Sequence, residues 1–167
     1  QLEVHACEAY LERFAAEKPG NVVVLAGRNS SKIDAIVAAL EAGLNVLADK
    51  PWILTPADLP KLKRALELAD ERGLIALDIM TERYEITSIL QRACVQDADI
   101  FGTMLAGSPD EPGVLMESVH YLKKTVAGLL LRRPAWWFDA AVAGTAVADV
   151  GTHLADLAMW LLFPDDG

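Results

Sequence analysis

Apolar positions in the first half of the chain change period several times. Val4, Cys7, Leu11 and Phe14 recur at helical spacing, and Lys18-Pro19-Gly20 is a stop signal. The Val-rich run NVVVLAG, over 21–27, predicts a short strand buried on both faces. Ser30 or Ser31 suits the cap of a helix with Ile33, Ile36, Val37 and Leu40 on one side and Gly43 at its end. The pattern then repeats. A strand is predicted over 44–48, and Thr55 and Pro56 start a third helix. That helix carries Leu59, Leu62, Leu66 and Ala69 on one face and ends at Gly73, and a third strand is predicted over 74–77. Helices of this length between short apolar strands imply right-handed crossovers and a parallel sheet.

Beyond Asp78 the pattern loosens, and a boundary is expected near residue 80. A helix is predicted over 85–94, with Ile86, Ile89, Leu90 and Ala93 facing inward. A strand over 100–105, a turn at GSPDEPG and a helix across 116–131 follow. The stretch RRPAWWFDAAVAG is aromatic and irregular, and 151–163 predicts a last helix.

Composition narrows the classes. With 167 residues, 53% of them hydrophobic, the chain can bury a core without staples. No apolar run reaches the roughly 18 to 20 residues of a membrane span. Twenty-four acidic against 15 basic residues give a net charge of -9. Such a surface repels phosphate backbones, so nucleic acid is excluded as a bulk partner, though not a nucleotide held in a local cleft. Cys7 and Cys94 have no metal or Cys-x-x-Cys spacing, which excludes a disulfide framework and leaves reduced, structural thiols. The chain opens without Met or a leader pattern, inside what reads as a helix, and stops just after another. It is expected to be the middle of a longer, cytoplasmic protein.

In a parallel sheet covered by helices, ligands bind outside the C-terminal strand ends. Three polar segments fall there: Gly27-Arg28-Asn29, Asp49-Lys50-Pro51 and 78–83. Lys50, between an apolar strand and a proline, is either a partly buried proton donor or acceptor or a plain loop lysine. A second constellation is DVGTHLADLAMWLL. On a helix, Leu154, Leu157, Ala158 and Leu161 form the apolar stripe, and His153, Asp156 and Trp160 form another. Asp149 lies four residues before His153, so its carboxylate can orient the imidazole as a general base. The alternative is a capped amphipathic helix with a surface histidine. A metal site on Asp149, His153 and Asp156 is not expected, because it lacks a second His or Cys. Trp136-Trp137-Phe138 is either a stacking wall for a sugar or nicotinamide or part of a core or subunit interface. His5 and His120 have no partner pattern.

Together, VVVLAGRNSSKIDAIVAALEAGLNVLADKPW and DVGTHLADLAMWLL resemble the Gfo/Idh/MocA family of nicotinamide-dependent oxidoreductases. The first is similar to the family's strand, Asn-bearing turn, Ala-Gly helix end and Glu-Lys-Pro strand end. The second is similar to its Asp-x-Gly-x-His-x-x-Asp segment. ESVHYLKK and RRPAWWFD resemble a subgroup known only as oxidoreductases by similarity. The resemblance implies an α/β protein with an incomplete parallel Rossmann-type sheet, its N-terminal strands missing, followed by the start of a second α/β domain. Residues 1–80 would be the C-terminal part of the dinucleotide-binding domain, and 81–167 part of a substrate and oligomerisation domain. NAD or NADP would lie along Ala26, Arg28, Asn29, Asp49, Lys50 and Pro51. His153 would be the acid/base, Lys50 its assistant and Asp149 a binding or orienting group. Trp137, Asp149 and His153 would bind a sugar, polyol or related carbinol, and Trp52 would line the same pocket. A homo-oligomer is implied too.

Two departures matter. Asp49 stands where the family has Glu, and no G-x-G-x-x-G turn is present. That turn and the first strand are expected upstream of Gln1, so a chain of only these residues is expected to bind dinucleotide poorly and to turn over nothing. Two other functions stay open: a non-catalytic ligand-binding or regulatory domain, and a glycoside-cleaving enzyme that uses NAD transiently.

Overall fold

The structure, a computed structural model, describes residues 9–18, 20–117 and 123–164. Val4, His5, Cys7 and His120 lie outside the described residues. The chain divides into two compact units, one of Gln1–Ile79 with Asp139–Gly144 and one of Met80–Phe138 with Thr145–Gly167.

The first unit is α/β. It runs α1 (Tyr10–Glu17), β1 (Val22–Leu25), α2 (Lys32–Glu41), β2 (Asn45–Ala48), α3 (Leu59–Arg72) and β3 (Ala76–Asp78), with α6 (Ala140–Ala143) returning to it. The three strands form one parallel sheet in the order β1-β2-β3, as the alternation of strands and helices predicts. Successive crossovers step the same way along the sheet, so right-handed connections put α2 and α3 on one face. The core therefore joins Ile33, Ile36 and Leu40 of α2 to Val46 and Ala48 of β2 and to Ala65 and Leu68 of α3. Val23 and Leu25 pack against it from β1.

Three expectations are corrected here. β1 is covered on one face only: Val22 and Val24 are exposed, because both helices cover the other side. The buried stripe of α3 is rotated from the predicted one. Ala65, Leu68 and Ala69 are buried, whereas Leu59 and Leu66 are exposed. Positions 62, 65, 68 and 69 make a narrower face, closed by small Ala65 and Ala69 against α2. Neither Ser31 nor Thr55 makes a side-chain bond to its helix start. Thr55 Oγ1 instead donates to Asp58 Oδ2 at 3.1 Å.

Gly73 ends α3 with φ +62°, a left-handed conformation. A Cβ there would meet nothing within 4 Å, so Gly73→Ala tests backbone strain alone. The substitution is expected to cost about 1–2 kcal/mol. Urea unfolding should show a lower midpoint at unchanged slope.

The second unit contains α4 (Ile86–Gln96), α5 (Ala98–Phe101), a hairpin of β4 (Thr125–Val126) with β5 (Leu129–Leu130), and α7 (Thr152–Leu162). The predicted strand over 100–105 is not formed. The Asp97 side chain accepts from Asp99 N at 2.9 Å and starts α5, and Gly102 at φ +78° stops it. The predicted helix across 116–131 gives way to the hairpin over its described C-terminal part; 118–122 lie outside the described residues. Ala127 and Gly128 both have positive φ, which matches a two-residue hairpin turn to the twist of its strands. The stripe Ile86, Ile89, Leu90 and Ala93 faces outward rather than inward. α4 meets α7 through its other side: Gln96 Nε2 donates to Leu161 O at 2.7 Å, and the Arg92 guanidinium lies 4.5 Å from the Trp160 ring centre. Cys94, on α4, is free and exposed rather than packed. Among the described residues, no helix is long and apolar enough to cross a membrane.

Candidate functional site

The strand register aligns the C-terminal ends of the sheet. Leu25, Ala48 and Asp78 are successive partners. The ladder continues one step further, with Asp49 N donating to Leu25 O at 3.0 Å and Ile79 N to Ala48 O at 2.9 Å. Ala26, Arg28, Asn29, Asp49, Lys50 and Pro51 thus all lie at one edge of the first unit. Ala26 and Arg28 are exposed; Asn29, Asp49 and Lys50 are half-buried; Pro51 is buried after a cis peptide bond. Trp52 packs on the core and donates from Nε1 to Ala48 O at 3.3 Å.

One group organises this edge, and the sequence reading missed it. Lys32, the first residue of α2, is only 3% exposed. Its ammonium donates to Asn29 Oδ1 at 2.8 Å and to the Asp49 carbonyl at 3.1 Å, pairs with the Asp49 carboxylate, and approaches the Lys50 carbonyl at 3.4 Å. Asn29 in turn donates from Nδ2 to Ala143 O at 2.7 Å. One buried cation therefore ties the turn after β1 to the turn after β2. The signal available was a polar residue three positions after Asn29, which reads as an ordinary first-turn lysine.

A cavity of about 160 Å³ opens beside the turn after β1, lined by Tyr10, Val24, Ala26, Gly27, Arg28 and Lys32 among others. Pockets that enclose a whole cofactor run to about 300–1,000 Å³. At about 160 Å³ this cavity is smaller than that range.

In the second unit, the polar stripe of α7 docks as a set. Asp156 takes a two-pronged hydrogen bond from Arg83, with Nε to Oδ2 at 2.7 Å and a second, shorter one from Nη2 to Oδ1. His153 Nδ1 lies 2.9 Å from Glu82 Oε1. Glu82 and Arg83 sit on a tight turn, Thr81–Tyr84, within the segment 78–83 that the sequence marks only as a strand-end loop. Asp149 is half-buried on a wide helical turn, Val147–Gly151, that leads into α7. Trp137 is half-buried, with Phe138 edge-on at 5.0 Å and the Arg133 guanidinium 4.4 Å from its ring centre. Among the described residues, no group of three or more His, Cys, Asp or Glu could hold a metal ion.

Similarity to known proteins now bears on this arrangement. Residues 90–167 match a family described as "Putative oxidoreductase C terminal domain". The crystal structure of a putative oxidoreductase from Parabacteroides merdae ATCC 43184 superposes with a TM-score of 0.90 at 43% identity, over 96% of this chain and 37% of that one. The chain is thus similar over nearly its whole length to a solved oxidoreductase, and its second half to an oxidoreductase C-terminal domain. Two other solved structures share the fold. GenD2 from gentamicin A biosynthesis, solved with NAD, gives a TM-score of 0.68 at 20% identity, over 92% of this chain and 39% of that one. Levoglucosan dehydrogenase, solved with NADH and levoglucosan, gives 0.57 at 18%, over 90% and 37%. The chain thus spans less than half the length of these solved oxidoreductases. No curated protein matches it.

Proposed function

We propose that this chain supplies the Lys50 edge and the His153 helix of an NAD(P)-dependent oxidoreductase acting on a sugar, polyol or related carbinol. The observation that carries the reading is the aligned strand-end edge, where Lys32 holds Asp49 and the backbone of Lys50 in one arrangement. Fixed polar groups at such an edge suit a dinucleotide-binding sheet. The solved relatives with NAD and NADH support the cofactor, and levoglucosan in one of them supports the substrate class.

Ala26, Arg28, Asn29, Asp49, Lys50 and Pro51 would hold the nicotinamide nucleotide, which when bound accepts a hydride at its ring C4. His153 takes the hydroxyl proton as the carbinol carbon loses that hydride, so the alcohol becomes a carbonyl and one proton moves to the imidazole. Lys50 donates a hydrogen bond to the same oxygen, and Asp149 orients the substrate. Trp137 offers an aromatic face to a sugar ring. The protein is read as cytoplasmic and homo-oligomeric, with residues 1–80 and 81–167 contributing to the cofactor and substrate sides.

The test is a panel of sugars and polyols with NAD⁺ or NADP⁺, following the absorbance of reduced nicotinamide, on this chain and on one extended to the length of the Parabacteroides relative. The extended chain is expected to reduce nicotinamide with at least one carbinol, and the shorter one to bind dinucleotide weakly and turn over nothing. Dinucleotide binding by the extended chain without any reduction across the panel would favour a ligand-binding role instead.

A further inference from the structure

We propose that Glu82 is a positioning residue that fixes the tautomer of His153; the proposal rests on the reading of His153 as the proton acceptor. Glu82 Oε1 lies 2.9 Å from His153 Nδ1. An ionised carboxylate only accepts, so a bare nitrogen lone pair facing it at this distance is repelled. The stable arrangement puts the hydrogen on Nδ1 and leaves the lone pair on Nε2. A general base for an alcohol proton needs that tautomer, since an Nε2–H would present a donor to the hydroxyl.

The surroundings hold Glu82 to this task. Its neighbour Arg83 forks onto Asp156, one turn along α7 from His153. That second pair holds the turn Thr81–Tyr84 against the helix. Glu82 Oε2 and His153 Nδ1 are both buried and make no aligned hydrogen bond, although Nδ1 and Oε1 are at contact distance. A contact that is close but off-line is common in unliganded sites and tightens when substrate orders the ring.

Nitrogen-edited NMR reads the tautomer directly, with His153 assigned from the signals lost in His153→Asn. The wild-type chain is expected to show hydrogen on Nδ1 of His153. Glu82→Met, which removes the acceptor at similar length, is expected to shift it to Nε2–H. Glu82→Gln, whose amide oxygen can still accept, is expected to keep the wild-type tautomer. Glu85→Gln, on the exposed residue three positions along, controls for charge alone, and circular dichroism checks that each variant folds. In the extended, active chain, Glu82→Met is expected to lower kcat about tenfold with little change in KM. A wild-type Nε2–H, or a tautomer that ignores Glu82→Met, would overturn the proposal. A tautomer that responds while His153→Asn leaves turnover intact would overturn the base role and the positioning role built on it, with the contact itself standing.

Discussion

Asp49→Ala is expected to destabilise the chain by about 3 kcal/mol, and Lys32→Met by only about 1 kcal/mol. The asymmetry follows from burial. The Lys32 side chain is 1% exposed and the Asp49 side chain 42%. Removing the carboxylate leaves an ammonium buried among neutral oxygens of Asn29, Asp49 and Lys50. Those dipoles solvate it in part, but the carboxylate paired with it is gone, and removing one partner of a buried pair is the costly way to break it. Removing the lysine leaves a carboxylate that water already reaches, and a methionine that fills most of the same space. The double substitution should therefore be less costly than Asp49→Ala alone, because it removes the buried charge as well as its partner. Urea unfolding of the four variants measures all three quantities in one cycle. If Lys32→Met were the more damaging change, the ammonium's hydrogen bonds to Asn29 and the Asp49 carbonyl would outweigh its pairing with the Asp49 carboxylate.

The first unit was largely legible because its signals are local. Four-residue apolar runs, helical spacing at Ile33, Ile36 and Leu40, and glycines at 43 and 73 each mark an element within a few residues. Covering of the sheet was misread at Val22 and Val24 because an apolar run does not say which faces have neighbours. The rotated stripe of α3 has a similar cause: two alanines carry much of the contact, and Leu59 and Leu66 outweigh them on any hydropathy scale. In the second unit the determinants are distant. Glu82 and Arg83 meet His153 and Asp156 across some 70 residues of sequence, and no spacing rule encodes that. The stripe His153, Asp156 and Trp160 was visible as a separate face of the helix. Its partners, Glu82, Arg83 and Arg92, were not. Lys32 shows the same limit from the other side: its position in the first turn was plain, while its pairing with Asp49 depends on where β2 ends.

The largest kinetic effect is expected at the two residues assigned to the alcohol oxygen. His153→Asn keeps a polar side chain of similar size but loses the proton acceptor, and should lower kcat of the extended chain by about 10²- to 10⁴-fold, the range for a positioned general base. That corresponds to about 3–5 kcal/mol of barrier. Lys50→Met preserves the length of the stem and removes the ammonium; a drop of about 10²-fold is expected, from loss of a charged donor to the developing alkoxide. Dinucleotide affinity should change little for His153→Asn and more for Lys50→Met, because only Lys50 is also assigned to the cofactor side. The decisive measurement is the double variant. Two groups serving one oxygen act as a unit, so once either is gone the other loses much of its effect, and the double variant should be only slightly slower than the worse single one. Two groups with unrelated tasks would multiply their losses. A fully multiplicative double variant would mean that Lys50 and His153 do not share a substrate atom, and the hydride-transfer assignment would then have to name a different base.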